Sequence, residues 1–327
     1  MKRKKMSIVV LMAVISTWTF PGYAIFGLTP FQEAYQKGAE ARVVFRVLDD
    51  GGSPVQGATV DVFFDMADRS KGRRVVVRTD TNGVCVAAAK TKGVLQIKVT
   101  CDGYYKTKDE ICFITMGHEH EVKNGRWQPW GMTKETVLRP IRNPKAEKHR
   151  IRGYKRTKRL DEWLKFDLEQ GDFVAPDGKG KTSDCEVLFS WDRGLGNKYT
   201  GMSVKIRFTD KYSGGCYVSK VMYSDFSGAY TFPSSRELCS EFYYFVHEKR
   251  NNETGELVER EARKFDATKA LLVRSRCKID PVTGKLLECH YSQISDIRFG
   301  CDSDGIAFLV KSFFNPTPND TNLEPKQ

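Results

Sequence analysis

ARVVFRVLDDGGSPVQGATVDVFFD at residues 41–65, then RRVVVRTDTNGVCV at 73–86 and GVLQIKVTCDGYY at 93–105, decides how this chain folds. Val43, Phe45 and Val47 alternate with Val44, Arg46 and Leu48, so one face is strongly apolar and the other mixed. The run DDGGSP at 49–54 then breaks the pattern with residues suited to tight turns. Val60, Val62 and Phe64 resume the period of two, as do Leu95, Ile97 and Val99 against outward Gln96, Lys98 and Thr100. Asp80-Thr81-Asn82-Gly83 is a turn signal, because Asn and Gly accept positive φ cheaply. Short strands divided by turn chemistry, with no helical period, predict a β-sandwich.

The order of these motifs resembles the transthyretin-like, carboxypeptidase-regulatory-like β-sandwich of exported bacterial proteins, over roughly the first third of the chain beyond its leader. Gly52, Pro54, Val55, Gly57, Ala58, Val60, Thr79, Asp80, Asn82, Gly83, Gly103 and Tyr104 carry the likeness. They are turn and core positions. The resemblance therefore implies a fold and a supporting or presenting role, and no catalytic residue.

Residues 1–24 read as a signal peptide. Lys2-Arg3-Lys4-Lys5 is the positive region, Met6 to Phe20 the apolar region, and Pro21-Gly22-Tyr23-Ala24 the helix breaker with small residues. Cleavage after Ala24 is preferred to an uncleaved anchor, since the run is short and diluted by Thr17 and Thr19. No later stretch is long and apolar enough to span a bilayer. The expectation is an exported protein, periplasmic or extracellular.

The formal net charge of +12 loses the leader's four positives and no acids. What remains is concentrated: between Arg139 and Lys165 eleven Lys or Arg stand against Glu147, Asp161 and Glu162. Arg150, Arg152, Lys155, Arg156, Lys158 and Arg159 are its centre, and a site for acidic or sulfated glycans is the sharp reading. A solvated connector folded against its own acids is the plainer one, and is preferred. Tyr154 and Trp163 are too sparse for a nucleic-acid stacking platform.

Trp127 and Trp130 in RWQPW, together with Trp163, are candidates for a sugar platform, although the RWQPW pair more often staples a loop with the indole N–H on a carbonyl. His118 and His120 would share one face of a strand and pinch a metal, but nothing nearby nominates further ligands. An edge strand carrying charges explains them as well.

Ala175 to Thr182 fits a relaxed phosphate-loop pattern ending in Gly-Lys-Thr. The chemistry needs a helix after the loop, and Cys185 to Trp191 instead alternates like a strand. A turn is expected, with no nucleotide and no other cofactor. Beyond it Met202, Val204, Ile206 and Phe208 alternate, and turn signals at 251–255 and 280–284 mark two hairpins. Asp161 to Leu168 alone hints at a helical period. The motifs RWQPW, LRPIRNP, GDFVAPDGKGKTSD and FFNPTPNDTNLE together resemble a family of uncharacterised exported bacterial proteins that join a regulatory-like sandwich to this C-terminal unit. That resemblance implies no particular activity, substrate or cofactor.

Nine cysteines in an exported chain imply disulfides. Cys277 with Cys289, on the two arms of one hairpin, and Cys101 with Cys112 are the candidate pairs; Cys216 with Cys239 is a weaker one. No Cys-x-x-Cys motif supports a redox site or zinc ribbon, and no Gly-x-Ser-x-Gly elbow a serine nucleophile.

The expected fold is all-β, with two antiparallel β domains. A leader (1–24), a transthyretin-like sandwich (25–138), a basic connector (139–165), a second sandwich or jelly roll (166–314) and a flexible tail (315–327) follow in order. The leading functional expectation is a non-catalytic scaffold or interaction module of the bacterial envelope, partnered by an envelope protein or acidic polysaccharide. A binding module for acidic glycans ranks second. A surface-polymer hydrolase ranks last, so the protein is expected not to be an enzyme.

Overall fold

The computed structural model describes residues 28–114, 122–148, 154–193, 199–251, 254, 256–302 and 305–326. The leader at 1–24, His118, His120, Arg150 and Arg152 lie outside them. The protein is all-β apart from short helical turns. Helix α1 (Pro30–Lys37) opens the described chain, capped reciprocally by Thr29 and Gln32 with Pro30 in its first turn.

The first sandwich is built from β1 (Ala39–Asp49), β2 (Thr59–Phe64), β3 (Arg73–Arg78), β4 (Val84–Thr91), β5 (Val94–Thr100), β6 (Tyr104–Tyr105), β7 (Thr107–Cys112), β8 (Val122–Lys123), β9 (Arg126–Trp127) and β10 (Met132–Pro140). One sheet runs β3-β2-β5-β7, every neighbour antiparallel. The other centres on β1, which takes β4 antiparallel and β10 parallel. The period of two puts Val43, Phe45 and Val47 inward from β1, against Val60, Val62 and Phe64 of β2 and Leu95, Ile97 and Val99 of β5.

The turn motifs lock one another. Asp80 Oδ1 accepts the amides of Asn82 and Val84 at 2.9 and 2.8 Å. Gly83 has φ +71°, and a Cβ there would stand 2.4 Å from the Val47 carbonyl oxygen, so only glycine fits. The Thr79 hydroxyl donates to the Val55 carbonyl at 2.7 Å and accepts the Ala58 amide at 2.9 Å. The Pro54–Ala58 and Thr79–Gly83 segments are therefore one interlocked corner.

The second sandwich uses β11 (Glu147–Lys148), β12 (Lys155–Thr157), β13 (Trp163–Asp167), β14 (Asp172–Phe173), β15 (Cys185–Arg193), β16 (Tyr199–Arg207), β17 (Gly214–Ser219), β18 (Glu241–Arg250), β19 (Leu257–Arg263), β20 (Lys269–Ile279), β21 (Leu286–Asp302) and β22 (Gly305–Asn315). One sheet runs β14-β13-β15-β16-β18-β19 and the other β11-β22-β21-β20-β17, with β12 also on β22. Between them lies an aromatic core in which Phe308 meets Phe166, Phe173 and Phe189 at centroid distances of 5.5, 6.1 and 5.2 Å. Residues 161–168, where a helical period was expected, instead contain β13, because Leu164 and Phe166 point into this core.

Of the 139–165 segment, Arg139 lies next to the end of β10, β11 and β12 pair with β22, and Trp163 begins β13, so its described parts belong to the sheets they join. The 315–327 tail is no frayed end. Leu323 is fully buried, and the Asn315 side chain donates to the carbonyls of Asp320 and Asn322 at 3.0 and 2.7 Å, folding the tail back as a strap. Its Glu324 accepts the Tyr105 hydroxyl at 3.0 Å and the amides of Arg142 and Asn143 at 2.8 and 2.6 Å. The first sandwich is further stitched on by backbone bonds from Lys108 to Tyr223 and from Asp225 to Lys106, both 2.9 Å.

Candidate functional site

The aromatic and basic residues singled out from sequence do not converge. Trp127 is buried in the first core with its indole N–H donating to the Thr91 carbonyl at 2.9 Å, so it cannot face a sugar. Trp130 remains partly exposed beneath the Arg126 guanidinium, 4.7 Å from the ring centroid. Trp163 lies in the other sandwich under Arg207, 3.8 Å away. Several basic groups of the connector are spent on acids of the same domain. Lys155 reaches Asp172 at 2.9 Å, and Arg159 reaches Asp177 at 2.9 Å and also binds Glu162. Arg156 and Lys158 are exposed.

The cysteine pairs separate into one excluded and one opposed. Cys112 pairs with Val94 at the start of β5, whereas Cys101 follows the end of that strand. Seven residues of extended chain between them amount to roughly 23 Å. That pairing is corrected: a disulfide needs Cα atoms within about 7 Å. Cys277 and Cys289 are free thiols on facing strands β20 and β21.

The Gly-Lys-Thr loop is a turn with its amides already engaged. The Lys181 and Thr182 amides donate to Asp167 Oδ2 at 2.8 and 3.1 Å, and the Gly180 amide to the Phe173 carbonyl at 2.8 Å. These are the donors a phosphate would require. Asp167 in turn belongs to a buried knot around Arg276, whose guanidinium contacts Asp167 at 3.1 Å, Glu169 at 2.6 Å and Asp184 at 2.9 Å. Burial pushes the Asp184 carboxyl up, against the pull of Arg276, the Ser275 hydroxyl and the Leu168 amide. Among the described residues no group of three His, Cys, Asp or Glu side chains is placed to hold a metal.

A cleft does form at one end of the second sandwich, between β18 and β19 on one sheet and β21 on the other. Trp191, Met202, Val246 and Phe299 make an apolar floor, and Glu248, Arg260 and Lys264 the rim, around a volume of about 300 Å³. A second lobe of about 410 Å³ shares Val246, Lys264 and Phe299 and adds Tyr154, Phe265 and Arg298. Trp191 and Phe299 are partly buried, packed on the edge of the aromatic core, which fixes their rings. The acids of the rim are engaged: Glu248 lies 3.6 Å from Arg260, and Asp296 lies 2.8 Å from Arg298 and 3.6 Å from Lys311. Lys264 forms no ion pair among the described residues. Apolar walls with a few charged groups at the mouth are what small-molecule sites present.

Sequence reasoning missed this cleft. Its floor comes from β15, β16, β18 and β21, remote in sequence and individually ordinary. The available signal was faint: Trp191 and Phe299 are large aromatics near the ends of long alternating strands.

Fold and site together define an all-β protein of two joined sandwiches with an aromatic, cation-rimmed cleft in the second. No protein-family model and no curated protein matches the chain. Solved structures similar to it include a 3-chlorocatechol 1,2-dioxygenase of Rhodococcus opacus 1CP, 13% identical over 32% of this chain and 62% of that one, with TM-score 0.26. A catechol 1,2-dioxygenase of Acinetobacter radioresistens is 16% identical over 33% and 54%, with TM-score 0.26. A hydroxyquinol 1,2-dioxygenase of Pseudomonas putida DLL-E4 is 20% identical over 32% and 57%, with TM-score 0.24. The chain thus spans less than two thirds of each of these proteins. All three are enzymes, where a non-catalytic scaffold and no enzyme were expected, but at TM-scores of 0.24–0.26 the likeness carries no argument about the activity of this chain. Likenesses this partial assign the chain no dioxygenase activity. No helix among the described residues is long and apolar enough to cross a membrane.

Proposed function

We propose that the second sandwich receives a small, ring-bearing carboxylate in the cleft between β18, β19 and β21. The observation that carries this reading is Lys264, a cation without an ion-pair partner among the described residues, at the mouth of a floor lined by Trp191 and Phe299. The rings supply stacking and apolar burial, and the ammonium at the exit selects the charge. Two sources share this chemistry: the acidic sugar unit of a polysaccharide, which was the expected partner, and a free aromatic acid. The first sandwich is then a transthyretin-like module that carries the ligand-binding unit, supported by the interlocked corner of Thr79, Asp80 and Gly83. Export to the periplasm or beyond rests on the leader at 1–24.

Calorimetric titration of the full chain with benzoate and with glucuronate tests the site. The expected result is binding of one of them that weakens at least tenfold in Lys264→Glu and in Trp191→Ala, and that falls with salt in the wild type. Which probe binds distinguishes the two sources. Equal affinity in wild type and both variants, or no binding of either probe, overturns the reading.

A further inference from the structure

The β20–β21 hairpin carries two thiols that its register sets against each other. Ser275 pairs with His290 and Lys278 with Glu288, so Arg276 and Cys277 together oppose the single residue Cys289. This is a β-bulge, and Arg276 adopts a positive φ of 54° within it. Ser275 and Arg276 both turn to Asp184, so the extra residue of the bulge returns Cys277 to the face of Arg274, which Cys289 shares with Tyr291. Opposed residues of antiparallel strands have Cβ atoms roughly 4.5–5.5 Å apart, and a disulfide needs roughly 3.5–4.5 Å. A small closing movement joins them.

The backbone of Cys289 is also where the C-terminal strap docks. The Asn319 amide donates to the Cys289 carbonyl at 2.8 Å, and the Cys289 amide donates to Asn319 Oδ1 at 3.0 Å. Asn319 Nδ2 adds a bond to the Leu287 carbonyl at 3.1 Å. Five residues on, Glu324 holds Tyr105 of the other sandwich.

We propose that Cys277 and Cys289 form an intramolecular disulfide by exchange with a small oxidised thiol, and that this bond fastens the strap joining the two sandwiches. The Cys277 thiolate attacks one sulfur of the donor disulfide and expels the first thiolate. The Cys289 thiolate then attacks the Cys277 sulfur and expels the second. The protein loses two protons and two electrons, and the donor is reduced to two thiols. Cys277 is the entry point because it is half-buried where Cys289 is buried. Burial pushes the Cys277 thiol up to about 11, with the Ser213 hydroxyl 3.4 Å away pulling it back, so the exchange accelerates as pH rises. Oxidation pins the bulge, and with it the register at which Asn319 docks.

The test incubates the full chain with oxidised glutathione at about pH 8.5, an ordinary thiol pKa. Remaining thiols are alkylated and peptides mapped by mass. The expected product is a peptide pair joined through Cys277 and Cys289, two hydrogens lighter than the dithiol, forming more slowly at neutral pH. Hydrogen exchange at residues 319–324 slows on oxidation in the wild type and does not change in Cys277→Ser. Recovery of both cysteines alkylated, or as separate glutathione adducts, overturns the bridge. A bridge that leaves exchange at 319–324 unchanged overturns its role in fastening the strap.

Discussion

The Tyr105 hydroxyl donates to Glu324 Oε1 at 3.0 Å across the seam between the two sandwiches, joining residues 219 positions apart. Glu324 is almost wholly buried and also accepts the amides of Arg142 and Asn143. Beside it Arg139, itself buried, donates to the Phe226 carbonyl at 3.1 Å and also to the Gly228 carbonyl, and lies 4.2 Å over the Tyr230 ring. A carboxylate delivered by the last residues of the chain thus closes the interface that Arg139 opens.

Removing that carboxylate is expected to cost more than removing its partner hydroxyl. Tyr105→Phe leaves Glu324 with two backbone donors, a loss of about 1 kcal/mol. Glu324→Ala orphans the Arg142 and Asn143 amides together and leaves the Tyr105 hydroxyl only the Pro325 carbonyl at 3.2 Å, so its cost exceeds that of Tyr105→Phe. Leu323→Ala, in the pocket shared with Cys216, Phe232 and Leu272, is expected to cost about 2–5 kcal/mol. Urea midpoints of the three variants check the order, and a milder effect for Glu324→Ala than for Tyr105→Phe would refute it.

Arg276→Ala is expected to destabilise by about 3–5 kcal/mol, since it leaves Asp167 and Asp184 buried without a counter-charge. The guanidinium also covers the Phe314 ring at 4.4 Å. Asp184→Asn in the Arg276→Ala background should recover part of the loss, because it removes one stranded charge. A double-mutant cycle on Asp184 and Arg276 measures this, and additive effects would show that the two groups do not act as a pair.

The Gly-Lys-Thr loop is expected to answer to packing and not to nucleotides. A Cβ on Gly178 would stand 2.3 Å from the Phe173 carbonyl oxygen, so Gly178→Ala forces the turn apart. The Lys181 side chain has no such constraint, and Lys181→Ala should stay within about 0.5 kcal/mol of the wild type. Thermal unfolding with and without ATP checks both: the first variant loses stability, the second does not, and ATP shifts neither protein.

The strands were legible where one face of a strand is buried and the other wet. Val43 to Val47, Val60 to Phe64 and Leu95 to Val99 all took the faces their alternation indicates. The helix at 30–37 escaped notice although Thr29, Pro30 and Gln32 are an ordinary helix start, because eight residues are too few for a visible period. Residues 315–327 were misjudged for a different reason. Asn and Pro mark frayed ends by composition, yet Asn315, Asn319 and Asn322 here use their amides to replace sheet hydrogen bonds. The cleft was illegible because strand order, and not local pattern, brings Trp191, Lys264 and Phe299 together.

Acid should loosen the strap through Asp320. Burial raises the pKa of its carboxyl, but the Lys145 ammonium at 2.8 Å and the Asn322 amide at 3.0 Å outweigh it and hold the group below the usual aspartate value. A pKa depressed on folding contributes stability above the unfolded value, about 3.9, and that contribution disappears as pH falls through the folded value. Asp320→Asn keeps an oxygen for the Asn322 amide and removes only the charge. The urea midpoint of the variant should therefore lie below that of the wild type at neutral pH, and the gap should close under acid conditions below the aspartate range. A gap that is the same at both ends of the pH scale would mean that the Lys145 pair contributes nothing to holding the strap.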